Sequence, residues 1–227
     1  SSDSSAENQA ADQESTAASA DGEKGSGKEG KESEKKKDGL KVSVKDGAKN
    51  VDPSQPVTVK TTGKLKSVTM TNEMGVEVKE KLSKDAKTWS TAEDLGYNHT
   101  YSIVASDADG NKKKLSFSTP QAAGVAEVSL SPIPDSEVGV GQVIGVNFGV
   151  PITDRKAAEK TITVTTNPEV KGAFYWVNNQ EVRWRPKEYW EPGTKVEVKV
   201  DQYGKDLGGG IYGGENAKTN FTIGDRT

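Results

Sequence analysis

Cysteine is absent from all 227 residues, which removes disulfides, thiolate nucleophiles and thiolate-bound metals together. A single histidine, His99, cannot by itself build a zinc site or a histidine relay. No apolar run approaches the roughly 18 residues that a membrane helix requires. With a net charge of −3, the chain is not a broadly basic nucleic-acid binder. It begins at Ser1 with neither an initiating Met nor a signal peptide, so a processed or truncated form is expected. Aromatics are sparse, at 6% of residues, and their clustering is therefore informative.

Residues 1–38 contain no aromatic and no Val, Ile or Leu. Such a composition cannot bury enough apolar surface to order a chain, and a disordered low-complexity tether is expected there. Every charge before Lys24 is acidic, and Lys24 to Lys37 alternate with Glu. The basic run Lys35-Lys36-Lys37 is largely neutralised by Glu32, Glu34 and Asp38. As a flexible coil the segment would span about 35 Å on average.

From Leu40 the pattern changes to short alternating runs. Leu40, Val42 and Val44 alternate with Lys and Ser, and Val57, Val59, Leu65, Val68 and Met70 continue the pattern. Trp89, Tyr101 to Ala105 and Leu115 to Phe117 follow, with a strong turn at Asp107 to Asn111. About seven short strands at regular spacing, without a helix-length segment of period 3.6, predict an immunoglobulin-like β-sandwich over residues 39–121. Tyr97 is read as the tyrosine of a corner motif, its hydroxyl bonding back to backbone. After a short linker at Pro120 to Gly124, a second set of strands predicts a second sandwich over residues 124–226. Its one helical turn is expected at Asp154 to Lys160, capped by Thr153 or Asp154. The two halves echo each other, as in Phe117-Ser118-Thr119 and Phe221-Thr222-Ile223, so the reading is all-β: a duplicated sandwich in a semi-rigid rod.

Three of the four tryptophans, Trp176, Trp184 and Trp190, lie in or just after the run GAFYWVNNQEVRWRP from Gly172 to Pro186. Asn178-Asn179 predicts a two-residue type I′ hairpin, since Asn tolerates positive φ. That turn would pair Tyr175 with Val182 and Ala173 with Trp184 on the inner face. It would leave Phe174 and Trp176 outside beside Arg183 and Arg185. Two readings of this outer set stand: rings buried under Tyr189-Trp190 and stacked on arginine, or a docking face for another domain or a glycan.

Candidate chemistry is thin. His99 reads as a turn histidine. Asp107 to Asn111 lacks the spacing and terminal Glu of a calcium loop, so a plain turn is favoured over weak Ca²⁺ binding. Gly208-Gly209-Gly210 with Gly213-Gly214 has no Lys-Ser/Thr and no strand-loop-helix context, so it is read as a mobile loop and not a phosphate cradle. No catalytic residue, metal site or cofactor is assigned.

The run TTNPEVKGAFYWVNNQEVRWRPKEYWEPGTKVEVKV, with YGKDLGGGIYG and NFTIGD after it, resembles the second immunoglobulin-like domain of actinobacterial L,D-transpeptidases of the mycobacterial and corynebacterial type. Val57 to Thr61, Ser67 to Glu73 and Leu95-Gly96-Tyr97 with Thr100-Tyr101 resemble the first such domain. The resemblance covers about residues 40–226. It implies two domains that precede a catalytic domain forming 3→3 peptidoglycan cross-links through a cysteine nucleophile. That cysteine and its histidines are not in this sequence, so no catalytic residue carries over. The expectation is a non-catalytic, monomeric stalk outside the cytoplasm, anchored to the membrane through its N-terminus in the parent, as in a lipoprotein whose lipidated cysteine would stand just before Ser1. Its partners would be that catalytic domain through Phe174, Trp176, Arg183 and Arg185, and peptidoglycan weakly, with no nucleic acid. The alternative is a glycan-binding module in which Trp176 stacks on wall sugars.

Overall fold

The computed structural model describes residues 39–225; the expected tether, residues 1–38, lies outside them. The chain divides into two compact units between Gln121 and Ala122. Both are sandwiches of short strands, so the all-β, immunoglobulin-like reading is what the structure shows.

In the first unit, β1 (Lys41–Val42), β2 (Thr58–Lys60), β5 (Thr88–Thr91) and β4 (Glu80–Leu82) form one sheet in the order β1-β2-β5-β4. The facing sheet is β3 (Leu65–Asn72), β6 (Thr100–Asp107) and β7 (Lys112–Ser118), in the order β3-β6-β7. With β1 to β7 lettered A to G in chain order, this is the constant-type immunoglobulin order, ABED against CFG. Alternation produces the core directly. In β6 the residues Tyr101, Ile103, Ala105 and Asp107 are buried, while Thr100, Ser102 and Val104 are exposed. Trp89, Met70 and Phe117 fill the space between the sheets.

A corner bond of this kind is made by Tyr101, four residues after the expected Tyr97. The Tyr101 hydroxyl accepts the Gly96 N–H at 2.9 Å, and its ring stacks on Phe117 at 5.5 Å. Tyr101 follows the turn and points inward in β6, so its hydroxyl reaches back to the backbone that precedes it. Burial pushes the phenol pKa up. Tyr101→Phe is expected to lower stability by about 1 kcal/mol, read by urea unfolding, because a part-buried N–H loses its acceptor while the ring stays.

In the second unit, β9 (Ser129–Ser131), β11 (Ile144–Asn147), β14 (Glu181–Pro186) and β13 (Gly172–Trp176) make a sheet in the order β13-β14-β11-β9. Opposite lie β10 (Ser136–Val138), β12 (Ile162–Asn167), β15 (Lys195–Val200) and β17 (Ala217–Ile223), in the order β10-β17-β15-β12. β10 runs parallel to β17, and a small parallel pair joins β8 (Gly124–Ala126) to β16 (Ile211–Gly213). The helix α1 (Arg155–Lys160) is the expected turn, with Asp154 as its cap: the carboxylate accepts the Ala157 N–H at 3.0 Å. Its Ala158 is buried.

The glycine-rich stretch is fastened, contrary to the mobile-loop reading. Leu207 is fully buried inside it, and its N–H donates to the Ile211 carbonyl at 2.8 Å. Buried Gln202 donates from Nε2 to the carbonyls of Ala126 and Glu215, at 2.9 and 3.0 Å. Gly213 packs so closely on the Gln202 backbone that no side chain fits.

Candidate functional site

The tryptophan hairpin is displaced by one residue from the expected register. Trp176 pairs with Val182, Tyr175 with Arg183, Phe174 with Trp184 and Ala173 with Arg185. The loop is three residues long, closed by Val177 N–H donating to the Glu181 carbonyl at 3.1 Å. Asn178 holds it with its side chain: Oδ1 accepts the N–H groups of Gln180 and Glu181, at 2.9 and 2.8 Å. Neither Asn178 nor Asn179 has positive φ, so the type I′ turn does not form.

Because side chains alternate with period 2, a one-residue slip turns a whole strand over. β14 faces as expected, with Val182, Trp184 and Pro186 buried. β13 is reversed. Phe174 and Trp176 point inward and pack against the core, and Tyr175 points outward with Arg183 and Arg185. The four residues expected to form one docking face therefore lie on two faces. Trp176 is held by Phe148, at 6.2 Å between ring centroids, by the Arg155 guanidinium 5.0 Å over its ring, and by an indole N–H bond of 2.8 Å to Glu159.

The outward side is a compact array. Arg185 lies 5.0 Å over the Tyr175 ring. Arg183 Nε donates to Glu181 Oε2 at 3.0 Å, and that carboxylate is the main reason the guanidinium pKa is pushed up. Toward the start of β13 the surface dips into a groove of about 960 Å³ beside Gly172, Tyr175, Arg185, Lys187 and Tyr189. Sequence reasoning missed the groove and read Tyr189 with Trp190 as a cover over the rings, whereas Trp190 is buried and Tyr189 is 80% exposed. Exposure at a single ring following a strand leaves no periodic trace.

Gly172 is a close approach. A Cβ there would overlap the Trp184 ring and stand 2.5 Å from the Arg185 carbonyl oxygen, so the indole is seated directly on a bare backbone. Gly172→Ala is expected to cost about 1–3 kcal/mol by overpacking and to shift Trp fluorescence; an unchanged spectrum and midpoint would refute this seating.

The other candidates resolve locally. His99 Nδ1 lies 2.8 Å from Glu73 Oε2, and Thr100 N–H donates to Glu73 Oε1 at 2.9 Å. That N–H is the leading reason the Glu73 carboxyl sits below its ordinary value. This contact pins a loop to the start of β6. Among the described residues there is no cluster of three metal-ligating side chains, and no helix is long and apolar enough to cross a membrane.

The profile of a bacterial Ig domain matches residues 48–206. The chain is similar to L,D-transpeptidase 2 of Mycobacterium tuberculosis, at 46% identity over 82% of this chain and 47% of that protein. It is also similar to L,D-transpeptidase 5 of the same species, at 32% identity over 80% of this chain and 42% of that protein. The chain thus spans about half the length of these curated relatives or less. A crystal structure of L,D-transpeptidase 1 from M. tuberculosis aligns with 44% of this chain and 40% of its own, at 33% identity and a TM-score of 0.33; the similarity that counts is of sequence.

Proposed function

This chain belongs to the bacterial immunoglobulin-domain family, and from that premise we propose that it is the non-catalytic stalk of a cell-envelope L,D-transpeptidase. The observation that carries the reading is the sequence match, which runs through most of this chain yet takes in only 47% of L,D-transpeptidase 2. The remainder of such a protein has room for the acyl-transfer domain. In this reading residues 1–38 form a tether anchored at the membrane, outside the cytoplasm. The domains, residues 39–121 and 124–226, then hold the catalytic domain within the peptidoglycan layer. They supply no bond-making group and need no cofactor, nucleic acid or second copy.

The physical gain is positional. Peptidoglycan is an immobile polymer, and tethering a catalyst beside it replaces diffusion from bulk with a high effective concentration. Docking of the catalytic domain would use Arg183 and Arg185 with Tyr175. Phe174 and Trp176 contribute from behind, by fixing the hairpin on the core. A stacking role for Trp176 on wall sugars is disfavoured by its contacts with Phe148, Arg155 and Glu159.

The test removes residues 39–225 from the full-length enzyme. Turnover of soluble stem-peptide substrates is expected to stay unchanged while cross-linking of intact sacculi falls. Equal activity on sacculi with and without these residues would reject the positioning role.

A further inference from the structure

The groove beside β13 has a backbone component that the docking face does not use. Lys187 N–H donates to the Lys171 carbonyl and Val177 N–H to that of Glu181. In an antiparallel pair such bonded positions recur every second residue. Residues 171, 173, 175 and 177 therefore turn their peptide groups toward β14, and Gly172, Phe174 and Trp176 turn theirs the other way. On that side no strand lies among the described residues, because β13 is the end of its sheet. The Arg155 guanidinium over Trp176 crowds one end. Gly172 and Ala173 keep the other low enough for a second backbone to approach.

The side chains at this edge carry a charge preference. Lys171, Arg185 and Lys187 line the groove against one acid, Glu188, and Tyr189 stands at the rim. An exposed edge strand is a template for pairing with an extended segment, and recognition by strand addition draws affinity from main-chain bonds and selectivity from alternate side chains. We propose that the β13 edge is a docking site for an acidic peptide segment of a partner protein, bound extended as a fifth strand of the sheet. Acids at every second residue would place their carboxylates on the face that carries Arg185 and the two lysines. A sugar could lie on Tyr189 but would not match the evenly spaced N–H and C=O groups of Gly172 and Phe174.

The proposal shares Arg185 with the docking face, but its test uses neither wall substrate nor catalytic domain, so its failure and that of the stalk reading are distinguishable. The experiment titrates the 227-residue chain with a capped octapeptide of alternating Glu and Val, followed by amide chemical shifts. Shifts confined to residues 171–176 and 185–189 are expected, with affinity falling as salt is raised. The same peptide with every backbone amide N-methylated should bind about tenfold more weakly or worse, because it can no longer donate to the edge. Arg185→Glu combined with Lys187→Glu should abolish the shifts while the circular dichroism spectrum is retained. Equal binding of the methylated peptide would overturn the proposal. So would an N-acetylglucosamine oligomer that shifts these amides when the acidic peptide does not.

Discussion

Trp190→Ala is expected to destabilise the second unit by about 3–5 kcal/mol, the range for removing a large buried aromatic. Trp190 is 2% exposed and stands at the centre of that unit's aromatic packing. Its ring lies 5.9 Å from Trp184 and meets Phe221 edge-on at 6.2 Å. Its indole N–H donates to the Gln142 carbonyl at 2.8 Å, and its backbone N–H to that of Val140. Truncation would open a cavity between the sheets and orphan a carbonyl at once. The loss should appear as faster hydrogen exchange in β14, β15 and β17, and Trp190→Phe should recover most of it. A change below about 1 kcal/mol would mean that this packing contributes little.

Asp107→Ala is expected to cost the first unit about 3 kcal/mol, measured by urea unfolding, because charged hydrogen bonds contribute more than neutral ones and leave buried donors behind when broken. Asp107 is buried at 2% exposure. Oδ1 accepts the N–H groups of Asp109 and Asn111, at 3.0 and 2.9 Å. Oδ2 accepts the Thr61 hydroxyl at 3.2 Å and the Asn111 amide at 2.8 Å. Asp107→Asn should be only a partial rescue, since its NH₂ would face two donors. The same inventory argues against the weak Ca²⁺ alternative: both oxygens are committed to protein donors. Added Ca²⁺ should therefore leave the unfolding midpoint unchanged.

The strand content was legible in the sequence because apolar alternation is a local signal, as in Tyr101, Ile103 and Ala105 of β6 or Val196, Val198 and Val200 of β15. The helix start was legible to within Thr153 or Asp154, because capping side chains are also a local signal, and the structure places the cap at Asp154. β4, β10 and β16 were not legible. Each is three residues long, and β4 is exposed at every position, so no alternation marks it. The hairpin register failed at β13 because Phe174, Tyr175 and Trp176 are three aromatics in a row. Either face of that strand is aromatic, and only the turn could decide between them. The turn was decided by the Asn178 side chain accepting two backbone N–H groups, a choice of loop length that an Asn-Asn pair does not reveal. β14 carries the contrast that β13 lacks, Val182 and Trp184 against Arg183 and Arg185, and its face was read correctly. The corner bond of Tyr101 is not marked in the sequence, because Tyr97 and Tyr101 flank the same turn and the inward pointing of Tyr101 in β6 shows only in the structure.

The most direct measurement of the proposed stalk role replaces residues 39–225, within the longer L,D-transpeptidase proposed to contain them, in two ways. One variant carries two unrelated β-sandwich domains joined by an equally short linker, and the other a Gly/Ser coil of the same residue count. Cross-linking of intact sacculi is then compared with turnover of soluble stem peptides. A stalk that works by placing its catalytic domain predicts that the sandwich variant cross-links sacculi substantially better than the coil, with soluble turnover equal in all three proteins. If both replacements match the native chain on sacculi, or if soluble turnover collapses in both, the positioning account is contradicted.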